Sequence, residues 1–284
     1  MVEGEAVEVD GRRRTLTVVR PEVVAEGAAV VLVLHGSNQD GRIVRRFAGY
    51  GFDAFAERGG AVVAYLDGHR GNWNEARARS DFAARREGFD DVAFAGAVVD
   101  LLVSEHRVDP ARVHAVGYSA GGSMVIRLAH EIGPRLAGIG LVAATLPVPG
   151  ELLPFDGPVV PLPVVLFHGT RDRLVPYDGG VTSLWGFRPR GLGLSARETA
   201  AYFAGRNGIT AAPESHDLGS SAGDRTAVER TDHRQDGRPT VTLYTVHGGG
   251  HVVPGPGRPL FVMGRPTRGL VAARALGEAF GLPA

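Results

Sequence analysis

A serine held between glycines, Gly117-Tyr118-Ser119-Ala120-Gly121, is the first group in this chain suited to covalent chemistry. The apolar run 113–116 leads into it and a helical pattern over 121–131 follows. That strand–turn–helix setting is what gives a G-x-S-x-G sequence its meaning. So tight a turn leaves no room for side chains two residues before or after the serine, hence Gly117 and Gly121. The hydroxyl then projects from the end of the sheet. The first N–H groups of the following helix point into the same space, where they favour a developing oxyanion.

An activated serine needs a general base, and the base needs a carboxylate to orient it. For this kind of turn the chain order is serine, acid, histidine. The run 163–167 ends in His168-Gly169-Thr170-Arg171-Asp172, placing Asp172 in a loop beyond a buried strand. Asp178 is the alternative, ahead of Asp224, Asp232 and Asp236 in the polar stretch. The run 241–246 ends in His247-Gly248-Gly249-Gly250-His251. His251 is preferred, because a glycine-rich loop can fold it back over Ser119, whereas His247 still belongs to the strand. His35 and His168, at strand ends beside glycines, read as structural. His114 lies in a strand, His106 and His130 on helices, and His69, His216 and His233 in polar segments. His247 and His251 have the spacing of a zinc-binding helix. Three intervening glycines forbid a stable helix, and no glutamate follows the first histidine, so no metal site is expected. The second oxyanion donor is expected at the backbone N–H of Ser37, after the early strand, acting with that of Ala120.

These residues converge only if strands alternate with helices. The runs 30–34, 61–66, 113–116, 139–143, 163–167 and 241–246 read as strands, and 43–57, 89–106, 121–131 and 270–280 as helices. The alternation predicts βαβ units, a mostly parallel sheet with helices on both faces, and ligands bound beyond the carboxyl ends of the strands. The first twenty residues read as an antiparallel hairpin turning at Asp10-Gly11. From 205 to 238 the chain turns polar and irregular, and 178–238 is expected to shape the rim of the pocket. No repeat or dividing linker interrupts the chain, so 1–284 reads as one catalytic domain.

Composition narrows the chemistry. Of 284 residues, 31 are basic and 31 acidic; every basic one is arginine, and there is no cysteine. Thiolate nucleophiles, disulfides and cysteine-held metals are excluded, as are a Walker A lysine, a pyridoxal Schiff base and a serine–lysine dyad. No cofactor is called for. Balanced charge gives no electrostatic reason to expect nucleic acid or an acidic membrane as partner. The longest apolar run, 28–34, falls far short of the ~20 residues that span a bilayer. The acidic start, MVEGEAVEVD, lacks a signal-peptide pattern, which favours a cytoplasmic location unless a leader has been removed.

Several blocks now match a known family in order: LHGSNQDG (34–41), YLDG (65–68) with NWN (72–74), DDVAFAGAVVDLL (90–102), VDPARVHAVGYSAGG (108–122), HGTRDRLVPYDGG (168–180) and GGGHVVPG (248–255). Together they resemble the polyhydroxybutyrate depolymerase and feruloyl esterase group of α/β-hydrolases, relatives of carbohydrate esterase family 1. The resemblance implies a Ser119–Asp172–His251 triad, an oxyanion hole at Ser37 and Ala120, and hydrolysis of hydroxyalkanoate, aryl or feruloyl, or acetyl esters. The substrate would be a small or polymer-derived ester. Where many secreted members carry a cysteine pair, this chain has Ser37 and Asn72. Where the final loop often carries a tryptophan, His251 is followed by Val252-Val253-Pro254. Tyr118, Trp73, Trp185 and Phe187 are the aromatic candidates to line the pocket instead. Two rivals share the scaffold: a peptidase of the prolyl-oligopeptidase-like kind, and a non-catalytic binding protein.

Overall fold

Each apolar run becomes a strand of one sheet. The computed structural model describes the chain except residues 184–186 and 188. Strands β1 (Val2–Val9) and β2 (Arg12–Val19) form the N-terminal hairpin, with Asp10 and Gly11 both at positive φ, as a two-residue turn requires. Then come β3 (Ala29–Leu34), β4 (Ala61–Leu66), β5 (Val113–Tyr118), β6 (Gly138–Val142) and β7 (Val164–Gly169), each buried along its whole length. Burial on both faces is what parallel strands between two helix layers need. A two-residue ladder pairs β8 (Gly180–Val181) with β9 (Leu192–Gly193). The last strands are β10 (Glu214–Gly219), β11 (Ala227–His233) and β12 (Val241–His247).

The sheet order is β1-β2-β4-β3-β5-β6-β7-β12-β11-β10. From β4 to β12 the pairing is parallel, and both ends are antiparallel. Helices α4 (Asp91–His106), α5 (Ala120–Glu131) and α6 (Ala196–Arg206) pack Phe94, Leu102, Met124, Leu128 and Phe203 into one core. On the other face α1 (Gly41–Phe47), α2 (Ala54–Glu57) and α7 (Ala272–Phe280) contribute Val44, Phe55 and Leu276 to a second. A single turn, α3 (Ala83–Arg86), sits before α4. Asp40 and Asp90 cap α1 and α4 by accepting from Ile43 and Ala93 N–H, and Ser195 with Glu198 forms a capping box on α6.

Two expectations need correction. The helix read over 43–57 is broken after Phe47: Gly49 and Tyr50 both take positive φ, and a Cβ on Gly49 would strike the backbone of Pro256 and Gly257. The segment 178–238 is not all rim. Its first part lines the site, whereas α6, β10 and β11 build the helix layer and the far edge of the sheet. Among the described residues no helix is long and apolar enough to cross a membrane.

Candidate active site

The junction of β5 and α5 forces Ser119 to φ 54°, ψ −119°. A side chain in that region costs about 1–3 kcal/mol, a strain typical of sites that must present one atom. A Cβ on Gly117 would run into the Gly121 carbonyl, and one on Gly121 into those of Leu34 and His35. The two glycines therefore let the turn close against the end of β3. Beyond β3, buried His35 ties together the loop that carries Ser37. Its Nδ1 donates to Gly36 O at 2.7 Å and its Nε2 accepts from Gly68 N–H at 2.8 Å. That pairing demands the neutral ring, and burial lowers its pKa. Trp73 Nε1 donates to His35 O at 2.8 Å. Ser37 and Ala120 line the same small chamber, and among the described residues neither N–H donates to a protein acceptor.

Asp172 and His251 meet at the ends of β7 and β12. His251 Nδ1 lies 2.6 Å from Asp172 Oδ2, while Asp172 Oδ1 accepts from Leu174 and Val175 N–H at 2.9 Å. Burial works to raise the Asp172 pKa, but neighbouring His251, their hydrogen bond and His168 outweigh it, so the carboxyl is held below its ordinary value. An ionised Asp172 fixes the proton of His251 on Nδ1 and leaves Nε2 as the basic nitrogen. Buried His168, its own pKa lowered by burial, donates from Nε2 to Val175 O at 2.8 Å and is 3.5 Å from Asp172 Oδ2.

The histidine loop is held from three sides. His251 N–H donates to Met263 O at 2.7 Å, Gly250 N–H to Arg265 O at 3.0 Å, and Tyr118 Oη to His251 O at 2.9 Å. Burial and the charge of Asp172 raise the Tyr118 pKa well above its usual value, so its hydroxyl keeps the proton it donates. Ser119 and His251 face one cleft, and no hydrogen bond joins their side chains in this structure. Such contacts commonly tighten only when substrate binds.

Ser119 sits where two spaces meet. One is a chamber of about 40 Å³ bounded by Ala120, Ser123, Ala144, Thr145 and Arg77. The other is an open cleft of about 870 Å³ walled by Ile43, Phe47, Tyr50, Tyr118, Leu260 and Met263. Ser37, Leu174 and Arg190 border both. Of the aromatic candidates, Tyr118 lines the cleft. Trp73 does not: it is wholly buried and braces the loop after β3 through His35 O. Phe187 is 77% exposed and is not among the residues lining either space. Trp185 lies outside the described residues. The rival acids and base are engaged elsewhere or exposed. His247 pairs with Glu229 at 3.0 Å, Asp232 with Arg230 and Arg234, and Asp224 accepts from Arg268 N–H. Asp178 and Asp236 are exposed. Phe47, Leu174, Arg190 and Met263 escaped the reading of the sequence, because loops distant in the chain bring them together. At the position of the missing cysteine, Asn72 Nδ2 instead donates to Arg70 O at 3.0 Å. Among the described residues no group of three or more histidines and carboxylates is placed to hold a metal ion.

No family model matches the chain. It is 35% identical over 247 residues to the "Putative esterase NocK" of Nocardia uniformis subsp. tsuyamanensis, covering 84% of this chain and 70% of that protein. It is 31% identical over 202 residues to feruloyl esterase B of Piromyces equi, covering 68% of this chain but only 34% of that longer protein. Among solved structures, an acetyl xylan esterase from Aspergillus awamori superposes with a TM-score of 0.64 over 98% of this chain and 99% of that one, at 15% identity.

Proposed function

The chain belongs to the esterase group of the α/β-hydrolases, and from that premise we propose that it is a serine esterase working through Ser119, His251 and Asp172. Ser119 Oγ attacks the ester carbonyl while His251 Nε2 takes its proton. The carbonyl oxygen becomes an oxyanion received by the N–H groups of Ser37 and Ala120. His251 returns the proton to the departing alcohol, leaving an acyl group on Ser119. Water, deprotonated by the same nitrogen, then releases the acid. Asp172 keeps the imidazole in its tautomer and stabilises the imidazolium. Each oxyanion donor of this kind contributes about 10²–10³ in rate.

The observation that carries this reading is the buried 2.6 Å contact of His251 with Asp172, facing the cleft that also holds Ser119. The unequal spaces on either side of Ser119 favour a short acyl group in the chamber and a bulkier, partly apolar alcohol in the cleft. Replacing Ser119→Ala should abolish hydrolysis of p-nitrophenyl acetate, and a fluorophosphonate probe should label the parent protein but not the variant. Substantial activity in Ser119→Ala would sink the assignment. Faster cleavage of peptide anilides than of aryl esters would favour a peptidase.

A further inference from the structure

Beside the small chamber lies a third space, of about 690 Å³, that ester hydrolysis by itself does not require. Arg77 and Arg190 line both. Arg70, Arg79 and Arg86 complete a cationic wall in which Asp81 is the single carboxylate among the described lining residues. Basic and acidic residues are equal in number over the whole chain, so this wall is a local departure.

The charges around it can be followed outward. Arg70 pairs with Glu87 at 3.0 Å, Arg77 with Glu75 at 3.0 Å, and Arg79 with Glu151 at 3.5 Å. Arg86 donates to the backbone carbonyl of Asp81. Arg190 donates to Ser37 Oγ at 2.7 Å and lies over the Phe82 ring at 4.9 Å. Among the described residues, those three glutamates and Asp81 are the carboxylates that answer these arginines. Ser80 Oγ, on a residue lining the same space, is buried without a hydrogen-bond partner. Such an atom costs stability unless something pairs with it. A carboxylic acid derivative supplies an acceptor for the Ser80 hydroxyl, and guanidinium forks match a carboxylate's two oxygens.

We propose that this cleft binds a carboxylate carried at the far end of the acyl group, making the preferred substrates half-esters of short dicarboxylic acids. The proposal rests on the esterase reading above: the ester carbonyl sits at Ser119, a short chain crosses the chamber past Arg77 and Arg190, and the carboxylate ends among the arginines. The carboxylate takes no part in bond making; water still adds across the ester to give the diacid and the alcohol.

The test compares two nearly isosteric esters, p-nitrobenzyl hemisuccinate and the neutral p-nitrobenzyl levulinate, by release of p-nitrobenzyl alcohol. At low salt kcat/KM should favour the hemisuccinate about tenfold, as one charge-assisted contact would give, and the preference should shrink with added sodium chloride. In the double variant Arg79→Gln/Arg86→Gln, both positions being exposed, the ratio should fall toward one. A ratio cancels any general loss of folded enzyme. Equal turnover of the two esters by the parent protein, or a preference that survives in the double variant, overturns the carboxylate site. Calorimetric binding of the pair to Ser119→Ala reads the cleft without turnover. Tighter binding of the hemisuccinate supports the site even if neither ester is hydrolysed, an outcome that would instead defeat the esterase reading. Equal binding overturns the site.

Discussion

At the scale of single residues, the proposed reacting groups are legible because chemistry restricts them more than folding does. Few serines sit between glycines at a strand end, and few carboxylates and histidines follow in the right order at later strand ends. What holds those groups in place is not legible, because it depends on contacts between residues far apart in the chain. Tyr118 illustrates this. Beside Ser119 it reads as a pocket aromatic, and it does line the cleft, but its hydroxyl also reaches 133 residues along the chain to His251 O. Tyr118→Phe removes that donor and leaves a buried carbonyl without it, at a cost of about 1–3 kcal/mol. The variant should unfold at a lower temperature, and its kcat should fall while KM for p-nitrophenyl acetate changes little, because the histidine loop is loosened rather than the ester's walls altered. A parent-like kcat would show that the loop is held adequately by Met263 and Arg265 alone.

At the scale of elements, the parallel centre of the sheet is legible from its unbroken apolar runs, and the hairpin from Asp10-Gly11. Strands β10 and β11 are not. All of Glu214–Asp217 is exposed and polar, as suits an edge strand that must not pair with another molecule, and without a buried face it has no alternation to read. The helix expected over 43–57 fails for a similar reason: its apolar spacing is real, but the crowding of Gly49 against Gly257 is set by a loop 200 residues away. Where a glycine answers to a contact the sequence does foresee, the consequence can be tested. In Gly121→Ala the new Cβ collides with the carbonyls of Leu34 and His35, which are backbone and cannot yield as a side chain would. The end of β3 must shift, carrying Ser37 away from Ala120. A loss of at least about 10² in kcat is expected, that of one oxyanion donor, with a lower midpoint of thermal unfolding. Gly4→Ala, where a Cβ meets nothing within 4 Å, should leave both unchanged. Parent-like activity in Gly121→Ala would mean that the turn can open without disturbing the oxyanion donors.

At the scale of the whole molecule, the absence of lysine and cysteine narrows the chemistry, while the fate of the histidines governs how the fold meets acid. His35, His114, His130, His168 and His233 all have pKa values lowered, in each case chiefly by burial. In the unfolded chain each imidazole takes a proton near pH ~6.5, whereas folded His114 holds out to about 4. Between those values the unfolded state binds more protons, so the free energy of unfolding falls as pH falls through this window, and above it these groups add no slope. Asp91, raised by burial, acts in the opposite sense, but only in the carboxylate range. The unfolding free energy from urea titrations should therefore drop between pH 7.5 and 5, by up to ~1.4 kcal/mol per pH unit for each histidine kept neutral. His114 is the position at which to isolate one contribution. Its Nδ1 has no hydrogen-bond partner, its ring stacks on Phe280 at 4.4 Å, and Arg112 adds to the cost of charging it. His114→Leu should keep the fold and flatten the dependence of unfolding free energy on pH by up to one proton's worth. A slope identical to the parent's would show that His114 titrates alike in the folded and unfolded chains.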